Sequence, residues 1–249
     1  MDRETILKNM LTGVDPPPDE DLKKSILAAI KAFSDKQLEK MEQAGVRFWP
    51  FIKGAPPEYN VTGVPDLGAP AEYKKELRLV RISPASLNRP GITDMLRHEL
   101  AHAWDDVRNE TSPPNLRKLK GDALTNELTR LGGDKMPFES QSTKKLAPGN
   151  LSMEEMLDRY KKGLPERDMS FANPSTAESH VAADVMEFYA EGYSVFHGFC
   201  DLCEARLLRL APELYNYLEQ ESKTYGLPAP NRDKLNKMFN DTYPEWKGY

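Results

Sequence analysis

The sequence predicts an α+β fold, mostly helical, in which a small mixed β-sheet packs among helices and one helix carries the candidate site. Three observations lead there. Apolar residues recur at helical spacing over much of the chain, at Leu22, Ile26, Leu27, Ile30 and Phe33 early on and again over 202–239. Two short runs, 46–52 and 76–82, have the β-branched and aromatic content of strands. A long amphipathic helix over 93–109 follows the second of them. With 249 residues, 39% of them apolar and 29% charged, the chain can bury a sizeable core, and it reads as a single domain over 1–249.

Each element follows from local chemistry. Residues 1–20 are polar and close on Pro16-Pro17-Pro18, so an extended segment with no helix is expected there. Helix is expected over 19–44, with Ser34 capping a second helix that carries Leu38 and Met41, and Gly45 ending it. Residues 46–52 read as a strand, 53–70 as a Gly- and Pro-rich loop with a short extended piece at 59–61. The second strand, 76–82, shows no strict alternation, which leaves its buried face undefined. Pro84 and Pro90 bracket a turn, and Thr93 is the expected cap of the next helix.

Residues 110–174 are polar, show no strand pattern and read as a helical insertion. Leu116, Leu119, Leu124, Leu128 and Leu131 mark one helix in it, and Ser152-Met153-Glu154-Glu155 is a capping box opening another with Met156, Leu157 and Tyr160. A strongly apolar helix follows, starting at Ser175 or Ser179 and running to His197. Three helical pieces, 202–210, 212–225 and 232–239, complete the chain.

The candidate chemistry lies in Arg97-His98-Glu99-Leu100-Ala101-His102. Side chains four apart on a helix share a face, so His98 and His102 can reach one metal ion. Glu99, one step round, is placed to take the proton of a metal-bound water. The apolar stripe of this helix is Leu96, Leu100, Ala103, Trp104 and Val107. The histidines flank that stripe with Met95 and Asp105, as a cleft-lining pair requires. Catalytic zinc takes three protein ligands and leaves a fourth position open, so a third ligand must come from elsewhere. Glu187 is the best candidate, because a carboxylate in an apolar helix must be paired or metal-bound. Glu191 lies four residues on, on the same face, where it can steady a ligating imidazole. Glu191 with His197 is the weaker alternative set.

His98-Glu99-Leu100-Ala101-His102 followed by Glu187-Phe188-Tyr189-Ala190-Glu191-Gly192-Tyr193 resembles the gluzincin metallopeptidases. Within them it is most similar to the group of the anthrax lethal factor catalytic domain and the Pro-Pro endopeptidases. The resemblance is specific over these two helices and looser over 20–52. It implies a zincin-like metallopeptidase domain holding Zn2+ through His98, His102 and Glu187, with Glu99 as general base and Glu191 behind the ligands. Where that group has a tyrosine seven residues before the ligand glutamate, this chain has His180. His180 is expected to donate to the oxyanion in its place, with Tyr189 and Tyr193 in reserve.

The implied activity is zinc-dependent hydrolysis of peptide bonds in a protein or peptide bound as an extended strand, along 77–82. The rival is a catalytically silent zinc-fold module that binds a protein partner. A net charge of −5 with interspersed signs gives no reason to expect nucleic acid. No apolar run near the amino terminus and no stretch of transmembrane length point to synthesis in the cytoplasm without a membrane span; a monomer is expected. Export by a route that reads no cleavable signal stays open, and the resemblance then implies an effector or toxin acting on a host protein. Cys200-Asp201-Leu202-Cys203 reads as two small apolar side chains rather than a zinc or redox pair. Asp105 and Asp106 read as a solvated helix end.

Overall fold

A computed structural model describes residues 2–12, 18–50, 71–75, 78–82, 91–108, 151–163, 171, 184–198, 200–228 and 230–246. They are mostly helical, with one small mixed sheet. The chain divides into two compact units, Met1–Ser140 and Gln141–Tyr249. Among the described residues no helix is long and apolar enough to cross a membrane.

The first unit opens with a helix where an extended segment was expected. This helix, α1 (Arg3–Met10), is capped by Asp2, whose Oδ1 accepts from the Thr5 N–H at 2.9 Å. Such a cap contributes about 1 kcal/mol. Its short apolar face, Ile6, Leu7 and Met10, is buried. The Arg3 guanidinium also donates to the Phe33 carbonyl at 2.9 Å, tying α1 to the corner before α3. Polar composition hid a stripe of three residues that tertiary packing makes sufficient.

Helix α2 (Glu20–Ile30) is capped by Asp19 and buries Leu22, Ile26, Ala29 and Ile30. Helix α3 (Asp35–Ala44) starts and stops as its sequence implies. Ser34 and Gln37 form a reciprocal capping box. Gly45, at φ 93°, ends the helix, with the Val46 N–H donating back to the Met41 carbonyl at 2.9 Å.

The sheet has the order β1-β3-β2, from β1 (Arg47–Pro50), β2 (Ala71–Lys74) and β3 (Leu79–Ile82). β1 runs parallel to β3, pairing Phe48 with Val80, and β2 runs antiparallel to β3, pairing Tyr73 with Val80. All four residues of β3 are buried, which is why its sequence does not alternate. The expected strand 76–82 is shorter at its start, where Arg78 takes a left-handed φ of 50°. Because β3 is the central strand of the described sheet, both edges of Leu79–Ile82 are occupied and an extended peptide cannot pair along that part of 77–82. The extended piece expected at 59–61 lies outside the described residues, as do Pro84 and Pro90.

Helix α4 (Ile92–Arg108) packs on α2, α3, β2 and β3. Thr93 lies inside its first turn rather than capping it; the turn is closed by the Gly91 carbonyl, which accepts from Asp94 and Met95 N–H. The predicted stripe is buried at Leu96, Leu100, Ala103 and Trp104, while Val107 is half-buried.

In the second unit, α5 (Met153–Gly163) begins at the predicted capping box. The Glu155 carboxylate accepts from the Ser152 N–H at 2.6 Å, and the Ser152 hydroxyl accepts from the Glu155 N–H at 3.2 Å. The rest of the proposed 110–174 insertion, including its leucine-marked helix, falls outside the described residues except for Phe171. Tyr160, Phe171 and Phe188 form an aromatic cluster with ring centroids 5.0 to 5.9 Å apart.

Helix α6 (Val185–Phe196) is capped by Asp184; Ser175 and Ser179 lie outside the described residues. Helices α7 (Asp201–Leu210), α8 (Pro212–Tyr225) and α9 (Arg232–Thr242) match the three predicted pieces closely. At Gly192, α6 meets α8 so closely that an added Cβ would stand 2.5 Å from Leu214 Cδ2. A larger residue there would have to push the Leu214 side chain aside.

Candidate metal centre

On α4 the structure brings His98 and His102 together. Their Nε2 atoms are 3.0 Å apart and their rings stand nearly perpendicular, at 84°. Both side chains are half-buried, beside the buried residues Leu96, Leu100, Ala103 and Trp104, so the pair borders solvent while its helix is anchored in the core.

Glu99 is held from the sheet. Its Oε2 accepts from the backbone N–H of Tyr73, in β2, at 2.6 Å. One helical repeat on, Asp106 takes the other end of the same residue: the Tyr73 hydroxyl donates to Asp106 Oδ2 at 2.9 Å. Residues seven apart share a helix face, so Glu99 and Asp106 form two points of one clamp on Tyr73.

The Asp106 carboxylate is 8% exposed and also accepts from Arg78 Nε at 3.3 Å, with Lys75 Nζ at 3.7 Å. Arg78 in turn donates to the Ala44 carbonyl, joining the end of α3 to this cluster. Asp105 is 5% exposed and paired with Arg108 at 2.6 Å. The expectation of a solvated helix end is therefore corrected: both aspartates are buried, because the strand and its flanking basic residues cover the end of α4.

In the second unit Glu187 sits in the first turn of α6 and is half-buried. A carboxylate there is favoured by the positive end of the helix dipole. Glu191, on the same face, is 2% exposed.

His197 ends α6 and is spent on packing. Its Nε2 lies 3.2 Å from the Ser222 hydroxyl of α8, and its ring stacks 4.5 Å from Tyr193. Tyr189 and Tyr193 are 1% and 0% exposed, and the Tyr189 hydroxyl donates to Glu221. Both rings are enclosed in the second unit. His180 lies outside the described residues.

Two residues of the site carried little or no signal in the sequence. Asp106 reads in the sequence only as part of a solvated helix end. Tyr73 had none, because Ala71-Glu72-Tyr73-Lys74 has weak strand character. The expectation of two small apolar side chains at Cys200 and Cys203 is corrected: they form a disulfide at the start of α7.

Compared with protein-family models, with curated proteins and with solved structures, the chain matches none of them.

Proposed function

We propose that the protein is a zinc-dependent endopeptidase of the gluzincin type, with a zincin-like active-site helix in α4. His98, His102 and Glu187 are its metal ligands, Glu99 its general base, Glu191 the carboxylate behind the ligands and His180 the donor to the oxyanion. The donor set fits the metal, since two imidazole nitrogens and one carboxylate oxygen are the combination that suits catalytic zinc and leaves a position open.

What carries the reading is the histidine pair. Two ligands bound to zinc at about 2.1 Å in tetrahedral geometry stand about 3.4 Å apart. The imidazole nitrogens of His98 and His102 are 3.0 Å apart, close to that spacing.

Zinc held by His98, His102 and Glu187 would supply Lewis-acid polarisation of a water and of the scissile carbonyl. Glu99 would take a proton from the attacking water and pass it to the leaving amine. The Tyr73 N–H fixes the orientation of its carboxylate, so the base does not have to be ordered at the moment of reaction. The peptide binds in extended form near β2, the strand that packs on α4. An exported effector acting on a host protein is the setting proposed for this activity.

The Glu187→Ala variant tests the ligand set. After dialysis against metal-free buffer it should contain little zinc by elemental analysis, where the wild-type chain retains it. Full zinc occupancy in the variant would move the third ligand elsewhere.

A further inference from the structure

The two cysteines of the chain take no part in the proposed zinc chemistry, and their disulfide asks for its own account. Cys200 and Cys203 are joined across a sequence separation of 3. Cross-links stabilise chiefly by closing long loops in the unfolded chain. A ring this small stabilises less than a cross-link that closes a long loop.

The surroundings are those of an exchangeable bond. Cys203 is 1% exposed, whereas Cys200 is half-buried and reachable. Cys200 is the N-cap of α7, and its Sγ accepts from the Cys203 N–H at 3.2 Å. That position favours a thiolate through the helix dipole and the hydrogen bond. The Arg206 guanidinium donates to Cys203 Sγ at 3.6 Å, which places a cation on the second sulfur. Of the nearby acids on the same helix, Asp201 is paired with Lys234 of α9, and Glu204 is buried beside Tyr215 of α8.

We propose that Cys200–Cys203 is a reversible redox site, opened by small thiol reductants of the glutathione or dithiol class through attack at Cys200. A reductant thiolate bonds to Cys200 Sγ, the S–S bond breaks, and its electron pair leaves on Cys203 Sγ beside Arg206. A second reductant thiolate then attacks the reductant's sulfur in the mixed disulfide and releases Cys200 as a thiolate. The protein gains two electrons and two protons, and two reductant thiols become one disulfide.

The test uses the full chain under native conditions, reduced with dithiothreitol and then alkylated briefly with iodoacetamide before peptide mass spectrometry. The disulfide should open without denaturant, re-form with glutathione disulfide, and leave Cys200 labelled at least about tenfold faster than Cys203. Cys203→Ser should hold glutathione at Cys200 as a mixed disulfide, and Cys200→Ser should not. Arg206→Gln should slow opening severalfold by removing the cation from the leaving sulfur. A bond that opens only in guanidinium chloride, or equal labelling of the two cysteines in the wild-type chain, would overturn the proposal, and neither of these readings depends on the variants folding.

Discussion

Glu204 offers a quantitative check on the packing of the second unit. It lies on α7, 7% exposed, in a helix packed against α6, α8 and α9. Burial pushes its carboxyl from the usual 4.5 up to about 7, and the charge of Asp201 adds to the effect. The Tyr215 phenol and Lys234 pull in the other direction but do not offset it. Burial likewise pushes the Tyr215 phenol up, with the Glu204 charge adding to it.

The folded state therefore holds a proton that the unfolded chain releases between pH 4.5 and about 7. Glu204 places no burden on stability below 4.5, and stability is lost as pH rises through 7. At about 1.4 kcal/mol per unit, the shift corresponds to roughly 3 kcal/mol at most. Glu204→Gln keeps the shape and cannot ionise. Urea denaturation followed by circular dichroism should find the variant more stable than wild type by up to about 3 kcal/mol at pH 8. At pH 4.5 and below the two should agree within about 1 kcal/mol. An equal difference at both pH values would refute the argument, because only an ionising carboxyl makes the difference grow with pH.

The Tyr73 clamp makes a second prediction. Asp106→Asn leaves Arg78 and Lys75 without their buried counter-charge and should cost about 3–5 kcal/mol in denaturant unfolding of the chain, with Glu99 losing its fixed position as β2 loosens; a cost below about 1 kcal/mol would mean that the cluster is not the anchor of β2 on α4. Glu187→Ala, besides losing zinc, should leave the helical circular dichroism of the chain unchanged, since the Asp184 cap and not Glu187 starts α6; a large loss of helix would show a folding defect in place of a missing ligand.

What was legible in the sequence is what short-range chemistry decides. The Ser34 and Ser152 capping boxes, the Gly45 stop and the three C-terminal helices are set by side chains within four residues of one another, so their signals are local. The His98–His102 pair is legible for the same reason. The rest depends on partners far away in the chain. α1 is polar overall and is held by Arg3 reaching the corner at Phe33. β2 has little strand character and forms because β3 offers it a buried neighbour. Asp105 and Asp106 look like a solvated helix end until the strand and Arg78 cover them. Tyr73 became part of the site only through a backbone N–H, a group every residue but proline has and no sequence motif records.

The central claim is that α4 carries a general base for zinc-assisted peptide hydrolysis, and Glu99→Gln tests it most directly. Wild-type and variant chains are loaded with zinc, analysed for metal, and incubated with a proteome-derived peptide library whose newly created amino termini are mapped by mass spectrometry. Glu99 is not a ligand, so the variant should keep its zinc while cleavage falls by about a hundredfold or more. Equal cleavage by zinc-loaded wild type and Glu99→Gln would contradict the mechanism, and a wild-type chain that holds zinc but creates no new termini would leave a binding module in place of an enzyme.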